Sequence, residues 1–223
     1  GMGPACWALD IHRGDRMKTL IAMDTDAFNG KKLAQKHGED SYLNGDHTTT
    51  LIRTEKGKTI EIQHNVVTPR PYNRMYQVEG TEGFANKYPN EGFSIRTMGR
   101  QIEGRKDGKA LFENLDGEAY VSKEMRDALM AEYQHPITRE GSLVETARRV
   151  GGHGGMDFIM DYRLIYCLRN GLPLDQDVYD AAEWSCLGEL TRVSIENGNI
   201  PVAMPDFTRG EWDKLDGLKL HIK

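Results

Sequence analysis

Gly151-Gly152-His153-Gly154-Gly155-Met156-Asp157 opens the stretch that decides the fold, and the apolar-rich run 158–168 and Asn170-Gly171-Leu172-Pro173 complete it. Apolar residues in the run recur at helical spacing on two adjacent sides, which predicts a buried helix. Gly171 is placed to take the left-handed conformation past the last turn, and Pro173 prevents continuation. The stretch therefore predicts a glycine loop that leads into a buried helix.

The glycine loop places four glycines and His153 within five residues. Such a density of glycine is expected where backbone comes close to another element or to a ligand. His153 is therefore a candidate ligand contact, or else a loop residue hydrogen-bonded to nearby backbone. The loop lacks the order G-x-G-x-x-G and follows no apolar strand pattern, so it does not predict a nucleotide site.

Strand patterns lie mostly in the first half of the chain. Residues 48–54 and 59–66 alternate and flank Glu55-Lys56-Gly57-Lys58, which predicts a β-hairpin. His64 shares a strand face with Ile60, Ile62 and Val66, so we expect it to lie among aliphatic side chains. Further strands are predicted at 17–25, 73–79, 84–87 and 93–96, with irregular loop in the rest of 90–120.

Helix patterns dominate the second half. Ser122 is a good N-cap for a helix over 123–134 with Tyr133 inward, and a shorter helix is predicted at 143–150. Asp175 or Asp177 begins a longer helix that Asn197-Gly198 ends. Its predicted inner stripe is Tyr179, Ala182, Cys186, Leu190 and Val193. Early strands and late helices predict an α+β fold, a mostly antiparallel open sheet with helices packed on one face.

Arg70 and Tyr72 lie in the connection Pro69-Arg70-Pro71-Tyr72. Two prolines stiffen this segment and fix the directions of a cation and a phenol, which suits a binding surface. The alternative is an edge loop with the arginine in solvent.

Composition limits the classes of partner. A net charge of −5 with acidic and basic residues interspersed argues against nucleic acid, and no run is apolar enough to span a membrane. Cys6, Cys167 and Cys186 are too scattered for a disulfide framework or a metal site and are expected to be small core residues. No linker interrupts the 223 residues, so one domain over 1–223 is expected. The sequence does not fix the compartment.

Several blocks of the sequence resemble the C-terminal part of one family. They are Ile11–Arg16, Leu51–Ile60, Thr68–Tyr72, Gly152–Asp157, Cys167–Asp175, Ala182–Trp184 and Pro205–Gly210. The family is that of the family 109 glycoside hydrolases, NAD-dependent α-N-acetylgalactosaminidases of the glucose-fructose oxidoreductase and inositol dehydrogenase (Gfo/Idh/MocA) superfamily. The resemblance covers nearly the whole chain.

The resemblance implies an N-terminal Rossmann domain that holds NAD, followed by an open-sheet domain with one face toward the active site or a partner subunit. This sequence has no G-x-G-x-x-G, so we expect that it lacks the Rossmann domain and binds no cofactor. In the family a Tyr-x-x-His pair assigned to the active site precedes the position of Gly1, so the catalytic tyrosine and histidine are also expected to be missing. A full-length parent that is periplasmic or secreted is compatible with the sequence.

The resemblance predicts the substrate-binding and dimerisation domain of a glycosidase, inactive alone and homo-oligomeric. Two alternatives stay open: a stand-alone carbohydrate-binding or dimerisation module, and the substrate domain of an NAD-dependent sugar dehydrogenase. Arg70, Tyr72 and His153 are expected to converge on one concave surface and to contact an N-acetylgalactosaminide-like sugar. His64 is the fourth candidate.

Overall fold

The computed structural model describes residues 1–96, 116–139 and 143–218. Contacts divide the chain into two compact units. Among the described residues, the first unit consists of Gly1–Tyr72 and residues 176–218, and the second of those within Asn73–Asp175. Compact units of one chain can belong to one folding domain, so the single domain over 1–223 stays a prediction. None of the helices in these described ranges is both long enough and apolar enough to cross a membrane.

Strands and helices follow the predicted order. The first unit begins with α1 (Gly3–Ala8), β1 (Met17–Asp24), α2 (Phe28–Lys36), β2 (Thr48–Thr54) and β3 (Thr59–His64). The second unit holds β4 (Gln77–Glu79), β5 (Gly83–Asn86), β6 (Gly92–Ile95), α3 (Lys123–Glu132), α4 (Leu143–Val150) and α5 (Met156–Asn170). The chain then returns to the first unit with α6 (Val178–Glu196) and β7 (Val202–Ala203).

The first unit is built on an antiparallel sheet in the order β3-β2-β1-β7. Ile52 pairs with Leu20 on one side and Ile60 on the other, which makes a buried apolar row across three strands. Helix α6 packs against β1 on this inner face. Because side chains alternate along a strand, Ile21 and Leu51 lie on the opposite, exposed face.

The second unit has a smaller antiparallel sheet in the order β4-β5-β6. The α3 side chains Met125 and Leu129 pack with Ile95 and Val121 in its core. The Ser122 hydroxyl accepts a hydrogen bond from the Met125 backbone N–H at 3.1 Å, so the predicted N-cap is confirmed. Helices α4 and α5 contact one another.

The predicted α+β class is confirmed, and so is the coverage of the larger sheet by helices on one face. The hairpin 48–66, the helix 143–150 and the left-handed Gly171 after α5 are also confirmed. The irregular loop predicted within 90–120 falls largely in 97–115, which lies outside the described residues.

The inward position predicted for Tyr133 was wrong, and the inner face predicted for α6 is confirmed only in part. Tyr133 is 62% exposed because α3 ends at Glu132 and the tyrosine follows its last turn. On α6, Cys186 and Leu190 of the predicted stripe are half-buried against the core, but the fully buried side chains lie one position further on. They are Asp180, Glu183, Leu187 and Ser194. Periodicity assigned the apolar residues to the core, whereas these polar side chains are buried because they have partners there.

Helix α5 was predicted to be buried, and this was wrong. It buries Arg163 and Cys167 but leaves Met160 and Leu168 57% and 65% exposed. The buried side is held by Arg163, whose Nε and Nη2 atoms donate to the two Asp175 carboxylate oxygens at 2.8 and 2.7 Å. The ion pair between Arg163 and Asp175 thus holds one narrow side of α5. The opposite, apolar side of the helix is not covered by any of the described residues.

Candidate functional site

The Arg70 and Tyr72 segment follows β3 without regular secondary structure, and both side chains are exposed, Tyr72 to 70%. The turn before it is fixed by Asn65, whose Oδ1 accepts hydrogen bonds from the Thr68 hydroxyl at 2.7 Å and the Thr68 N–H at 3.3 Å. A fixed turn followed by two prolines holds a short segment in one direction. The structure therefore presents a cation and a phenol to solvent on a stiff support.

His64 does not lie among aliphatic side chains, contrary to the prediction. It is the last residue of β3 and is exposed, and it pairs with Thr48, the first residue of β2. Because β3 ends there, the alternation that buries Ile60 does not continue to His64. The position leaves His64 accessible to a ligand.

The glycine loop is a run of left-handed residues. Its φ angles are 92° at Gly151, 75° at Gly152, 47° at His153, 71° at Gly154 and 100° at Gly155. Glycine adopts such angles at little steric cost, whereas they strain other residues. The loop therefore needs its glycines for the backbone conformation itself.

The loop also comes close to another element. This is one of the two explanations that the sequence analysis gave for its many glycines, the other being a ligand. A Cβ atom on Gly155 would lie 2.8 Å from the Ala147 carbonyl carbon of α4. A Cβ atom on Gly151 would meet nothing within 4 Å. Packing against α4 thus explains Gly155, and backbone conformation alone explains Gly151.

His153 is held by a carboxylate and not by local backbone. Its Nδ1 atom lies 2.9 Å from Asp157 Oδ2 and 3.1 Å from Asp157 Oδ1, with the two side chains 76% and 53% exposed. A carboxylate on Nδ1 favours the tautomer that carries its proton there, so the lone pair is left on Nε2. Asp157 also lies in the first turn of α5, where a negative charge is favoured by the helix dipole.

The four predicted residues do not all belong to one compact unit. Arg70, Tyr72 and His64 are in the first unit, and His153 is in the second. Their convergence on one concave surface stays a prediction.

A buried charge network in the first unit was not predicted. Arg13 Nη1 and Nη2 donate to the Asp180 carboxylate at 3.1 and 2.8 Å. His12 Nε2 lies 2.9 Å from Glu183 Oε2, and His12 Nδ1 lies 3.6 Å from Asp180 Oδ1. All four side chains are at most 3% exposed, so the network joins the segment after α1 to the inner face of α6.

The network sets the protonation of its members. Burial by itself lowers the pKa of His12, but the contacts with Asp180 and Glu183 outweigh it and raise the pKa to about 9. Burial raises the pKa of Asp180, yet the contacts with His12 and Arg13 outweigh it and lower the pKa to about 2. At neutral pH the His12 ring is therefore an imidazolium beside two carboxylates.

His12, Asp177 and Asp180 place possible metal ligands within 4.8 Å of one another, but they do not fit a metal ion. Asp180 already accepts from Arg13 and from the Asp177 N–H, and Asp177 caps α6 by accepting from the Tyr179 and Asp180 N–H groups. The cluster is an ion-pair network.

Asp15 fixes the same segment from its other end. Its buried carboxylate accepts hydrogen bonds from the Arg16 N–H at 2.8 Å and the Lys56 N–H at 3.0 Å. In the sequence, Asp15 lies in the block Ile11–Arg16, which was identified only because it resembles the family and not as part of a buried network. The i, i+3 spacing of Asp180 and Glu183 on α6 was the matching signal.

The second unit contains an open groove of about 810 Å³ that was also not predicted. Its wall is mostly apolar, with Glu82 and Arg96 as charged members. The apolar lining residues include Val78, Phe84, Phe93, Leu129, Met130 and Tyr133.

A model of the "Glycosyl hydrolase 109, C-terminal domain" matches residues 1–214. A "Glycosyl hydrolase family 109 protein" of Porphyromonas gingivalis is 63% identical over 222 residues, which are 98% of this chain and 46% of that protein. "Glycosyl hydrolase family 109 protein 1" of Phocaeicola vulgatus is 61% identical over 97% of this chain and 45% of its own length. The protein of the same description from Bacteroides thetaiotaomicron is 60% identical over 98% of this chain and 46% of its own length.

Among solved structures, the apo form of levoglucosan dehydrogenase superposes with a TM-score of 0.46 at 14% identity, over 86% of this chain and 46% of that chain. An oxidoreductase domain protein from Kribbella flavida gives a TM-score of 0.46 at 12% identity, over 86% of this chain and 45% of that chain.

The chain thus spans about half the length of the curated relatives that it matches. The family model, in contrast, matches it almost from end to end. The chain belongs to glycosyl hydrolase family 109, of which it represents the C-terminal domain.

Proposed function

We propose that this chain is the substrate-binding and dimerisation domain of an NAD-dependent glycosidase that acts on N-acetylgalactosaminides, and that it is inactive alone. One observation carries the proposal: the C-terminal family model matches residues 1–214, while the relatives are about twice as long as the chain. Catalysis therefore needs residues that the other half of such relatives supplies.

NAD belongs to that other half, because this sequence has no glycine fingerprint of the dinucleotide-binding kind. When bound there, it supplies transient oxidation of the sugar. The residues of this chain are left with binding and orienting the substrate. This division of roles explains why the exposed residues proposed for the sugar site offer hydrogen-bond donors, hydrogen-bond acceptors and an aromatic ring.

Arg70 and Tyr72 form the first part of the proposed sugar site. The Arg70 guanidinium offers several fixed N–H donors to sugar hydroxyls, and the Tyr72 ring offers an apolar face with a hydroxyl at its edge. Their stiff, exposed segment lowers the entropy that is lost when a ligand binds. His64, accessible at the end of β3, is the weaker third contact of the first unit.

His153 is the contact from the second unit. With Nδ1 held by Asp157 at 2.9 Å, the Nε2 lone pair is available to accept a hydrogen bond from a sugar hydroxyl. Asp157 is then a positioning residue that acts through His153. This role requires His153 to approach Arg70 and Tyr72 in the assembled enzyme.

The homo-oligomer of the proposal uses the outer face of the larger sheet, as the resemblance to the superfamily suggests. Ile21, Met23 and Leu51 lie on that face and are 39%, 64% and 50% exposed. Ile21 pairs with Leu51 across β1 and β2, so the three side chains form one apolar patch. Such a patch is typical of a surface that another chain covers.

The proposal is tested by a chimera in which this chain replaces the matching C-terminal half of the Porphyromonas gingivalis relative. We expect the chimera with NAD to release N-acetylgalactosamine from an aryl α-N-acetylgalactosaminide, and the chain alone to release none. Arg70→Met and His153→Gln should each raise the KM of the chimera about tenfold or more, the effect of losing about 1.4 kcal/mol of binding. Leu43→Gln, at an exposed site of the first unit, is the matched control.

The alternatives give different results. Net accumulation of NADH without release of the sugar would indicate a dehydrogenase. An inactive chimera, together with sugar binding by the chain alone, would indicate a stand-alone module. Hydrolysis by the chain alone would contradict the proposal.

A further inference from the structure

Helix α5 carries an apolar surface that the proposed sugar site does not use. Leu164, Ile165 and Leu168 lie on the side opposite Arg163 and are 46%, 56% and 65% exposed. Asp161 continues the same side toward the N-terminus, since 161, 164, 165 and 168 follow the spacing i, i+3, i+4, i+7. We call these four residues the outer face of α5.

An exposed helix face with this many apolar side chains is usually covered by other protein in the functional molecule. Nothing among the described residues hydrogen-bonds to it or forms an ion pair with Asp161, and the α5 anchor through Arg163 and Asp175 lies on the other side. Its cover is therefore expected from residues outside the described ones.

The charges at the two ends of the outer face select the occupant. Asp161 lies at its N-terminal end and Arg169 at its C-terminal border, and both are exposed without an ion-pair partner among the described residues. When two copies of α5 pack antiparallel, each Asp161 comes opposite the Arg169 of the other copy. Antiparallel packing also opposes the two helix dipoles favourably. The face is thus complementary to itself.

We propose that the outer face of α5 is a two-fold interface between two copies of this chain, packed antiparallel about an axis near Ile165. Ile165 is the midpoint of the interval from Asp161 to Arg169, so it meets the Ile165 of the partner copy. Leu164 and Leu168 pack beside this contact. A symmetric interface requires such self-complementarity of one surface patch.

The interface is distinct from the outer face of the sheet, which belongs to the first unit. One 15-residue helix is about 22 Å long, and a pair of such faces buries less than a standard interface of roughly 800 Å² per partner. A dimer formed by α5 alone should therefore dissociate at low concentration and strengthen when other contacts join the same two copies.

Sedimentation equilibrium of the chain over a range of concentrations tests the apolar part. We expect association of the wild-type chain, and a dissociation constant raised about tenfold or more by Leu164→Gln with Ile165→Gln. Leu43→Gln, which is 94% exposed in the first unit, is the control and should leave association unchanged. Circular dichroism verifies that each variant is folded, as expected for exposed positions.

A charge exchange tests the antiparallel arrangement. Asp161→Arg places two arginines together at each end of the interface, and Arg169→Asp places two aspartates together, so each variant alone should associate more weakly. An equimolar mixture should restore association, because every end of the mixed dimer then pairs an arginine with an aspartate.

Two results overturn the proposal. One is a wild-type chain that stays monomeric at high concentration. The other is association that Leu51→Gln abolishes on the sheet face while the α5 variants leave it unchanged. Neither result bears on sugar hydrolysis by the chimera. A monomeric chain would also contradict the dimerisation part of the proposed function, whereas association through the sheet face alone would leave that part standing.

Discussion

Arg13 and Asp180, which are 167 positions apart in the sequence, form a buried two-point ion pair with N–O distances of 3.1 and 2.8 Å. The pair connects the turn after α1 to the first turn of α6, and His12 and Glu183 extend it. The pair therefore joins the two sequence segments of the first unit, which the residues of the second unit separate along the chain.

Arg13→Met should destabilise the chain by about 3–5 kcal/mol, because it leaves the Asp180 charge buried without its strongest partner. Urea unfolding monitored by circular dichroism measures this change. Arg192→Met is the matched control, since Arg192 pairs with Glu189 and Glu196 at the exposed side of α6 and should cost only about 0–1 kcal/mol. Equal losses of unfolding free energy in the two variants would show that the buried pair stabilises the chain no more than the exposed pairs do.

Stability should fall at alkaline pH because of His12. The pKa of His12 is raised in the folded chain from 6.5 to about 9, so its contribution is complete below 6.5 and is lost as the pH rises through 9. The slope attributable to this one proton is at most about 1.4 kcal/mol per pH unit. Urea unfolding at a series of pH values measures it, and His12→Gln should remove this part of the slope.

At acid pH, stability should fall as the pH decreases, because of Asp180. The pKa of Asp180 is lowered from 3.8 to about 2, so its contribution is complete above 3.8 and is lost as the pH falls through 2. Asp180→Asn should remove the corresponding part of the acid slope. An unchanged acid limb in that variant would assign the slope to other carboxylates.

Gly155→Ala should destabilise the chain more than Gly151→Ala. Both positions have positive φ angles, 100° and 92°, so each substitution carries backbone strain of about 1–2 kcal/mol. Only Gly155 adds a steric conflict, with the new Cβ atom 2.8 Å from the Ala147 carbonyl carbon. The melting temperatures of the two variants compare them directly, and a lower value for Gly151→Ala would contradict this account of the loop.

Asp157→Asn should change the tautomer of His153. The wild-type carboxylate holds the proton on Nδ1, and an amide accepts this proton less strongly, so the Nε2-protonated form gains population. Nitrogen NMR shifts of the imidazole report the two forms. Asp157→Glu, which keeps the charge, should stay closer to the wild type. A His153 spectrum that is identical in the Asn variant would remove Asp157 as the positioning residue.

Local patterns predicted most of the fold. The hairpin was predicted because alternation and Glu55-Lys56-Gly57-Lys58 act within a few residues, and α4 because its apolar positions repeat at helical spacing. Ser122 and Asn197-Gly198 marked helix ends through their own capping chemistry. These signals do not depend on distant parts of the chain.

Two of the errors, the inner face of α6 and the burial of α5, share one physical origin: the local sequence does not identify what covers a helix. Asp180 and Glu183 look like surface residues in sequence, and only the arrival of His12 and Arg13 from the other end of the chain allows them to be buried. An apolar helix such as α5 looks like core, but periodicity does not say which chain covers it. For the candidate site, exposure of Arg70 and Tyr72 followed from the prolines beside them, whereas the Asp157 partner of His153 was not recognised.

The claim that this chain is the substrate half of a two-part enzyme is tested most directly by calorimetric titration with NAD. The chain alone should give no heat of binding, and the chimera with the N-terminal half of the Porphyromonas gingivalis relative should bind NAD. A dissociation constant in the low micromolar range for the chain alone, about −8 kcal/mol, would contradict the account.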